Sequence, residues 1–331
     1  MDKIEFPKLY CPFPSSVNEH AEDVNNHTLA WVKEFDLVPD EGHFERLKKS
    51  KFGWLAARAY PNTPLEELKI VSDWNTWLFI RDDYCDESGL GRNPGLLSEI
   101  HTELLEILNG RVPGQSDSAL AHALHDIRIR LLHKASPAWM CRFVCSVIEY
   151  FESSVWEAHN RVDGIIPDTE TYILMRPYTG GLYTDIELID ITEDIYLPLH
   201  VRKNDVVQRL ALMANNVVCW SNDIISYAKE SKHNDVHNLV TTLRPTQATL
   251  QKAVDLAAEL TSAEINAFIA LQLHLPSYTP EIDADLQRFV AVLGSWMRGN
   301  LDWAYDSGRY VVESIDWKKE NMDASLCVEL N

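Results

Sequence analysis

The chain is short of positive charge. Thirty Lys and Arg stand against fifty Asp and Glu, giving a formal net charge of −20 and a pI near 4.9. An acidic surface repels the phosphate backbone that basic patches attract, which argues against a nucleic-acid partner. A small polyanion remains admissible if divalent cations stand between it and the carboxylates. No run approaches the eighteen apolar residues of a membrane span. The opening residues hold Pro7, Pro12 and Pro14 with Asp2 and Glu5, not the basic start and apolar stretch of a secretory signal, so the cytosol is the expected compartment. The six cysteines (Cys11, Cys85, Cys141, Cys145, Cys219, Cys327) form no close-paired framework, and Cys141 and Cys145 lack a second ligand pair. Reduced, buried thiols are expected. Alternating strand patterns are scarce, and no internal repeat or linker-like shift of composition is found.

What is present is helical periodicity. Thr63-Pro64-Leu65-Glu66 offers an N-cap, a proline at the first helical position and a capping-box acid, opening a helix expected to run to about Asp86. Gly89, Gly91 and Pro94 then end it. Further helices are expected over 17–36, 41–59, 96–109, 117–134, 137–160, 203–232, 246–273 and 281–307. Many long helices without strands predict an all-α bundle in a single domain over 1–331, with an N-terminal segment over 1–16 and a patternless, mobile tail over 313–331.

Asp82-Asp83-Tyr84-Cys85-Asp86-Glu87 lies at the C-terminal end of the helix that begins at Pro64. At about 100° per residue, Phe79, Asp82, Asp83 and Asp86 share one face. Three carboxylates on one face repel each other, the negative end of the helix dipole worsens this, and a bound divalent cation relieves both. Magnesium suits such a hard oxygen site. Alone, D-D-x-x-D is more often a solvated helix end.

A second constellation follows at Trp220-Ser221-Asn222-Asp223-Ile224-Ile225-Ser226-Tyr227-Ala228-Lys229-Glu230. Asn222, Ser226 and Glu230 recur at i, i+4 and i+8, a slanting row of amide oxygen, hydroxyl and carboxylate. One carboxylate with two neutral oxygens makes a weak cation site until another anion completes it. Lys229 lies on the same side. An ordinary polar stripe uses the same residues, but Leu210, Val217, Val218, Trp220, Ile224 and Ile225 leave this helix largely apolar.

D-D-x-x-D-E at Asp82 to Glu87 followed far downstream by N-D-x-x-S-x-x-K-E at Asn222 to Glu230 resembles the two metal motifs of class I terpene synthases, particularly the single-domain microbial type. Arg176, upstream of Asn222, matches that family's diphosphate-sensing arginine, and Arg309-Tyr310 its C-terminal pair. The resemblance spans most of the chain and implies the helical class I fold, three Mg2+ ions, release of diphosphate from a linear prenyl diphosphate, and cyclisation of the cation left behind. It places Asp82, Asp83 and Asp86 on one metal motif and Asn222, Ser226 and Glu230 on the other, facing each other across an apolar cavity. It gives Arg176, Lys229, Arg309 and Tyr310 to the diphosphate, and the linker and effector roles to Thr179 and Gly180. Thr179 departs from relatives in which the linker is acidic. Family habit favours farnesyl diphosphate and a sesquiterpene, with geranylgeranyl diphosphate and a diterpene open, and relatives often pair as homodimers.

Arg176-Pro177-Tyr178-Thr179-Gly180-Gly181 makes separate physical sense, because a proline and two glycines break a helix and free backbone carbonyls. Phe79 and Trp303, then Trp54, Trp77 and Trp296, are the candidate aromatic walls of the cavity, with Asn215, Val218 and Cys219 on the same side of their helix as Asn222. Single aromatics are as readily plain core. A chain-elongating prenyltransferase would need a second aspartate-rich motif in place of Asn222 to Glu230. A di-iron bundle would need two E-x-x-H motifs, and the chain has one at Glu230 to His233. His125-Asp126 has no companion histidines at ligand spacing. An acidic helical scaffold would share the composition without explaining four motif elements in one order.

Overall fold

The computed structural model describes residues 3–231, 235–310 and 326–329, and gives the backbone alone for Lys3, Asp86, Glu87 and 326–329. Helices dominate: α1 (Ala21–Glu34), α2 (Glu41–Ser50), α3 (Phe52–Ala59), α4 (Leu65–Glu87), α5 (Pro94–Leu108), α6 (Ala119–Leu132), α7 (Pro137–Asp163), α8 (Thr169–Thr179), α9 (Leu182–Glu193), α10 (Leu199–Arg202), α11 (Asp205–Glu230), α12 (Leu239–Leu243), α13 (Leu250–Leu271) and α14 (Pro280–Asp306). Their starts obey local chemistry. Side chains of Asp40, Asn93, Ser118, Ser136, Asn204, Asn238, Thr249 and Thr279 each accept a backbone N–H of the first turn they precede. Pro94, Pro137 and Pro280 open their helices, where a missing N–H costs nothing.

The chain groups into two compact units, each discontinuous in sequence. One holds residues 16–164 and 178–196 and carries Asp82; the other holds 1–15, 165–177 and 197–331 and carries Asn222. In the Asp82 unit, α4 is buried along Leu68, Val71, Trp74 and Trp77. Trp74 and Trp77 stack at 5.4 Å; their indole N–H groups donate to Thr184 Oγ1 and Leu120 O. A buried aspartate on the same helix, Asp73, is fully partnered by Thr28, His27 and Arg130. Helix α3 crosses α1 so closely that a Cβ on Gly53 would stand 2.4 Å from Asn25 Cα.

In the Asn222 unit, α11 packs between α13 and α14. A short strand β1 (Lys3–Phe6) pairs antiparallel with β2 (Leu326–Glu329), Lys3 opposite Glu329. The Gln251 amide brackets Glu5, accepting its N–H and donating to its carbonyl.

Four expectations need correction. The helix over 41–59 is two, because Lys51 takes a left-handed conformation (φ 53°) that ends α2 and starts α3. Thr63 does not cap α4: the helix begins at Leu65 after Pro64, and the Thr63 hydroxyl is buried without a partner. Cys85 and Cys219 are buried thiols, but Cys141 and Cys145 are exposed. Segments 161–202 and 233–245, left between helices by periodicity, contain α8, α9 and α10 in the first and α12 in the second. The mobile tail expected over 313–331 lies outside the described residues apart from β2. Among the described residues no helix is long and apolar enough to cross a membrane.

Candidate active site

Asp82 and Asp83 occupy the last turns of α4, Asp82 exposed and Asp83 half-buried; the Asp86 side chain lies outside the described residues. This helix end has no basic residue in its own last turn, so the helix itself adds no positive charge to its acids at the negative pole of the dipole. Phe79, one turn earlier, is half-buried and stacks on Phe52 at 4.5 Å. Trp77 is wholly buried, stacked on Trp74 and tilted against Phe151. Thr179 is half-buried and Gly180 exposed at the end of α8. There Gly181 adopts φ +71°, a conformation glycine takes without strain, and its carbonyl accepts from Thr184 N–H and Oγ1.

In the other unit the Asn222 row is built on α11. Ser226 is buried, its hydroxyl without a well-formed hydrogen bond; Asn222, Lys229 and Glu230 are half-buried. Arg176 reaches α11 from α8, giving Nε (3.0 Å) and Nη2 (2.8 Å) to Asp223 Oδ1 and Nη2 to Asn222 Oδ1 at 3.3 Å. Asp223 Oδ2 accepts from Tyr172 OH (2.7 Å) and Leu239 N–H (3.0 Å). Four donors saturate this carboxylate, which makes Asp223 the anchor of the arginine and not a spare cation ligand. Asn222 Nδ2 donates to Tyr310 OH at 2.6 Å, and Tyr310 meets Trp303 edge to face. Arg176, Asn222 and Tyr310, far apart in sequence, are thus joined in one network.

Helix α8 runs through Pro177 to Thr179 and gives way only at Gly180 and Gly181. Pro177 lies inside α8, and its carbonyl is taken by Asn215 Nδ2 at 2.8 Å. Cys219 Sγ leans on Arg176 O and Asn215 Oδ1. Asn215 and Cys219 therefore serve the backbone at the break, a use that position on a helical face does not reveal.

Glu230 is the most perturbed acid of the row. Burial first, then the charges of Asp223 and Asp235, push its carboxyl up to about 7, held back by the Ser226 hydroxyl and the Asn238 amide. Asn238 divides its two amide hydrogens between Glu230 Oε2 (2.9 Å) and Asp223 O (2.7 Å) while capping α12. Burial also raises Tyr310 to about 12, keeping the phenol protonated as a donor. An amide oxygen, a buried hydroxyl beside the carboxylate and a carboxylate that burial leaves short of positive charge form a donor set that fits a hard divalent cation.

Sequence reasoning missed Asp223, Tyr172 and Asn238 in these roles. Asn238 carried a faint signal as an N-cap before Leu239-Val240; Tyr172 carried none.

Comparison with known proteins agrees with these features. The family described as Terpene synthase family 2, C-terminal metal binding, matches residues 73–267. Germacrene A synthase of Nostoc punctiforme is 39% identical over 94% of this chain and 96% of its own. The (+)-T-muurolol synthase ((2E,6E)-farnesyl diphosphate cyclizing) of Roseiflexus castenholzii is 38% identical over 94% and 95%. Among solved structures, that of a-eudesmol synthase superposes with a TM-score of 0.81 at 25% identity, covering 91% of this chain and 99% of that one. With a metal-binding family profile across both motifs and relatives aligned nearly end to end, the chain belongs to the terpene synthases, enzymes of the class I α-helical fold.

Proposed function

We propose that this enzyme uses magnesium to ionise farnesyl diphosphate and closes the resulting fifteen-carbon cation into a cyclic sesquiterpene, acting as a single functional domain. The observation that carries the reading is the placing of Arg176 on Asn222 and Asp223, which sets a guanidinium with forked donors beside the Asn222, Ser226 and Glu230 row. The fifteen-carbon substrate follows the printed activity of the (+)-T-muurolol synthase relative.

Asp82, assisted by Asp83 and Asp86, holds cations on one motif, and Asn222, Ser226 and Glu230 hold one on the other, three Mg2+ in all. Those cations supply Lewis-acid neutralisation of the leaving diphosphate. The protein's part is charge, orientation and protons. Arg176 turns its donors from Asp223 to the diphosphate, Lys229 and Arg309 add charge, and Tyr310 donates its retained phenol proton as a hydrogen bond. Asn238 keeps the Glu230 carboxylate in place. Thr179 and Gly180, beyond Pro177, relay the sensor's movement along the broken helix. Trp303, Phe79 and neighbouring apolar side chains exclude water from the cation.

The test is turnover of ten-, fifteen- and twenty-carbon prenyl diphosphates with Mg2+, analysed by gas chromatography with mass spectrometry. A cyclic fifteen-carbon product, lost with EDTA and reduced at least about a hundredfold (about 2.7 kcal/mol) in Asn222→Ala, is expected. A twenty-carbon product alone would move the enzyme to the diterpene class, and no hydrocarbon or alcohol from any substrate would refute the proposal.

A further inference from the structure

Immediately before the acidic motif stands a residue of the opposite sign that points the other way. Arg81 is 3% exposed. Its Nη1 donates to Tyr150 OH (3.0 Å) and Ser154 Oγ (3.2 Å), and its Nη2 meets His101 Nε2. The guanidinium lies against the Tyr150 and Phe151 rings, 5.0 and 5.4 Å from their centroids. His101 in turn stacks on Phe151 at 4.1 Å. Every partner in this cage is neutral. Burial and the adjacent arginine drive the His101 pKa down to about 2, so its Nε2 is an acceptor, and Tyr150 is pushed well above the usual phenol range.

A buried cation normally shares its hydrogen bonds with a carboxylate, because desolvation is otherwise uncompensated. Among the described residues none hydrogen-bonds Arg81. The negative charge nearest along the helix belongs to Asp82, the next residue. An arginine keeps its charge even when buried. One full positive charge fixed one residue before the Asp82–Asp83 pair offsets the mutual repulsion of the acids and the helix dipole, and it opposes an incoming cation while favouring an incoming anion.

We propose that Arg81 is a positioning residue of the metal motif: held in a neutral cage, its charge weakens lone cation binding at Asp82 and Asp83, so that cations load there together with the diphosphate. This rests on the reading of Asp82 and Asp83 as cation ligands.

The experiment measures Mn2+ binding by the disappearance of free-ion paramagnetic resonance, with and without inorganic pyrophosphate, on the full chain. Arg81→Met should bind Mn2+ alone about tenfold more tightly than the unsubstituted enzyme, and the enhancement by pyrophosphate should shrink correspondingly. Arg81→Gln, which keeps amide donors for Tyr150 and Ser154, should do the same and serves if the methionine variant does not fold. Tyr150→Phe removes one hydrogen bond and leaves the charge; it should stay within about twofold of the unsubstituted enzyme. The tightening should vanish when Asp82→Ala is added. Unchanged Mn2+ affinity in both charge-deleted variants, or an equal shift in Tyr150→Phe, would overturn the role of Arg81 while leaving the metal motif standing. No Mn2+ binding by the unsubstituted enzyme even with pyrophosphate would bring down the metal reading itself.

Discussion

At the scale of single residues, the chain keeps several ionisable groups where water cannot reach them, and each is explained by its partners or by their absence. Asp73 and Asp223 are saturated by donors. Asp185 is different: it is buried on α9, its Oδ1 has no partner, and desolvation raises its pKa well above the usual carboxylate value. A raised folded-state pKa means the folded form holds a proton that the unfolded chain gives up above about 3.9. The unfolded state then binds fewer protons, so stability falls as pH rises from that value toward the folded pKa. Asp185→Asn cannot ionise. The stability of the unsubstituted protein relative to the variant, read from urea unfolding at pH 4.5, 6 and 7.5, should decline as pH rises, and a constant difference would show that Asp185 ionises freely in the fold. The same scale shows what the sequence could and could not reveal of the site. Asn222, Ser226 and Glu230 were legible because three oxygen-bearing types recur along one helical face. Asp223, between them, was overlooked because its partners Tyr172, Arg176 and Leu239 come from other elements, and no local spacing encodes such a meeting.

At the scale of elements, helix boundaries were legible where a cap or proline spells them, as at Ser136-Pro137 and Thr279-Pro280. They were not legible at Lys51, a residue type with no bias toward positive φ that is held there by the turn between α2 and α3. Strands β1 and β2 escaped notice because each has four residues and gains its pairing only from the opposite end of the chain. The close approach of α3 to α1 depends on Gly53. A methyl group there would meet the α1 backbone, 2.4 Å from Asn25 Cα and 2.7 Å from its nitrogen, and neither atom can step aside as a flexible side chain would. Gly53→Ala must therefore separate two helices that also pack on α4. The expected cost is about 3 kcal/mol, at the upper end of the usual overpacking range. The helical propensity gained, about 1 kcal/mol, does not cover it. A melting temperature equal to or above that of the unsubstituted protein would contradict this account of the crossing.

At the scale of the whole molecule, a chain of net charge −20 has to accept a substrate group that is itself a polyanion. Pyrophosphate alone should be repelled by the long-range field, and under the proposed roles Mg2+ alone would find weak ligand sets: Glu230, whose carboxyl burial pushes up to about 7, and the α4 carboxylates next to the buried Arg81. Each is the missing half of the other's site. A ligand that binds only the folded state stabilises it by about 2.7 kcal/mol at a hundred times its dissociation constant. For a protein of this size that corresponds to a melting shift on the order of 5 °C. Differential scanning fluorimetry should therefore find little change with 5 mM-scale Mg2+ or with pyrophosphate and EDTA, and the full shift only when the two are combined (concentrations roughly those that saturate a weak hard-cation site). Arg176→Gln should cut the combined shift, since it removes the forked donor beside Asn222, without creating one for either component alone. A full shift with pyrophosphate in EDTA would mean that protein cations suffice to hold the anion, and the acidic motifs would then need another explanation.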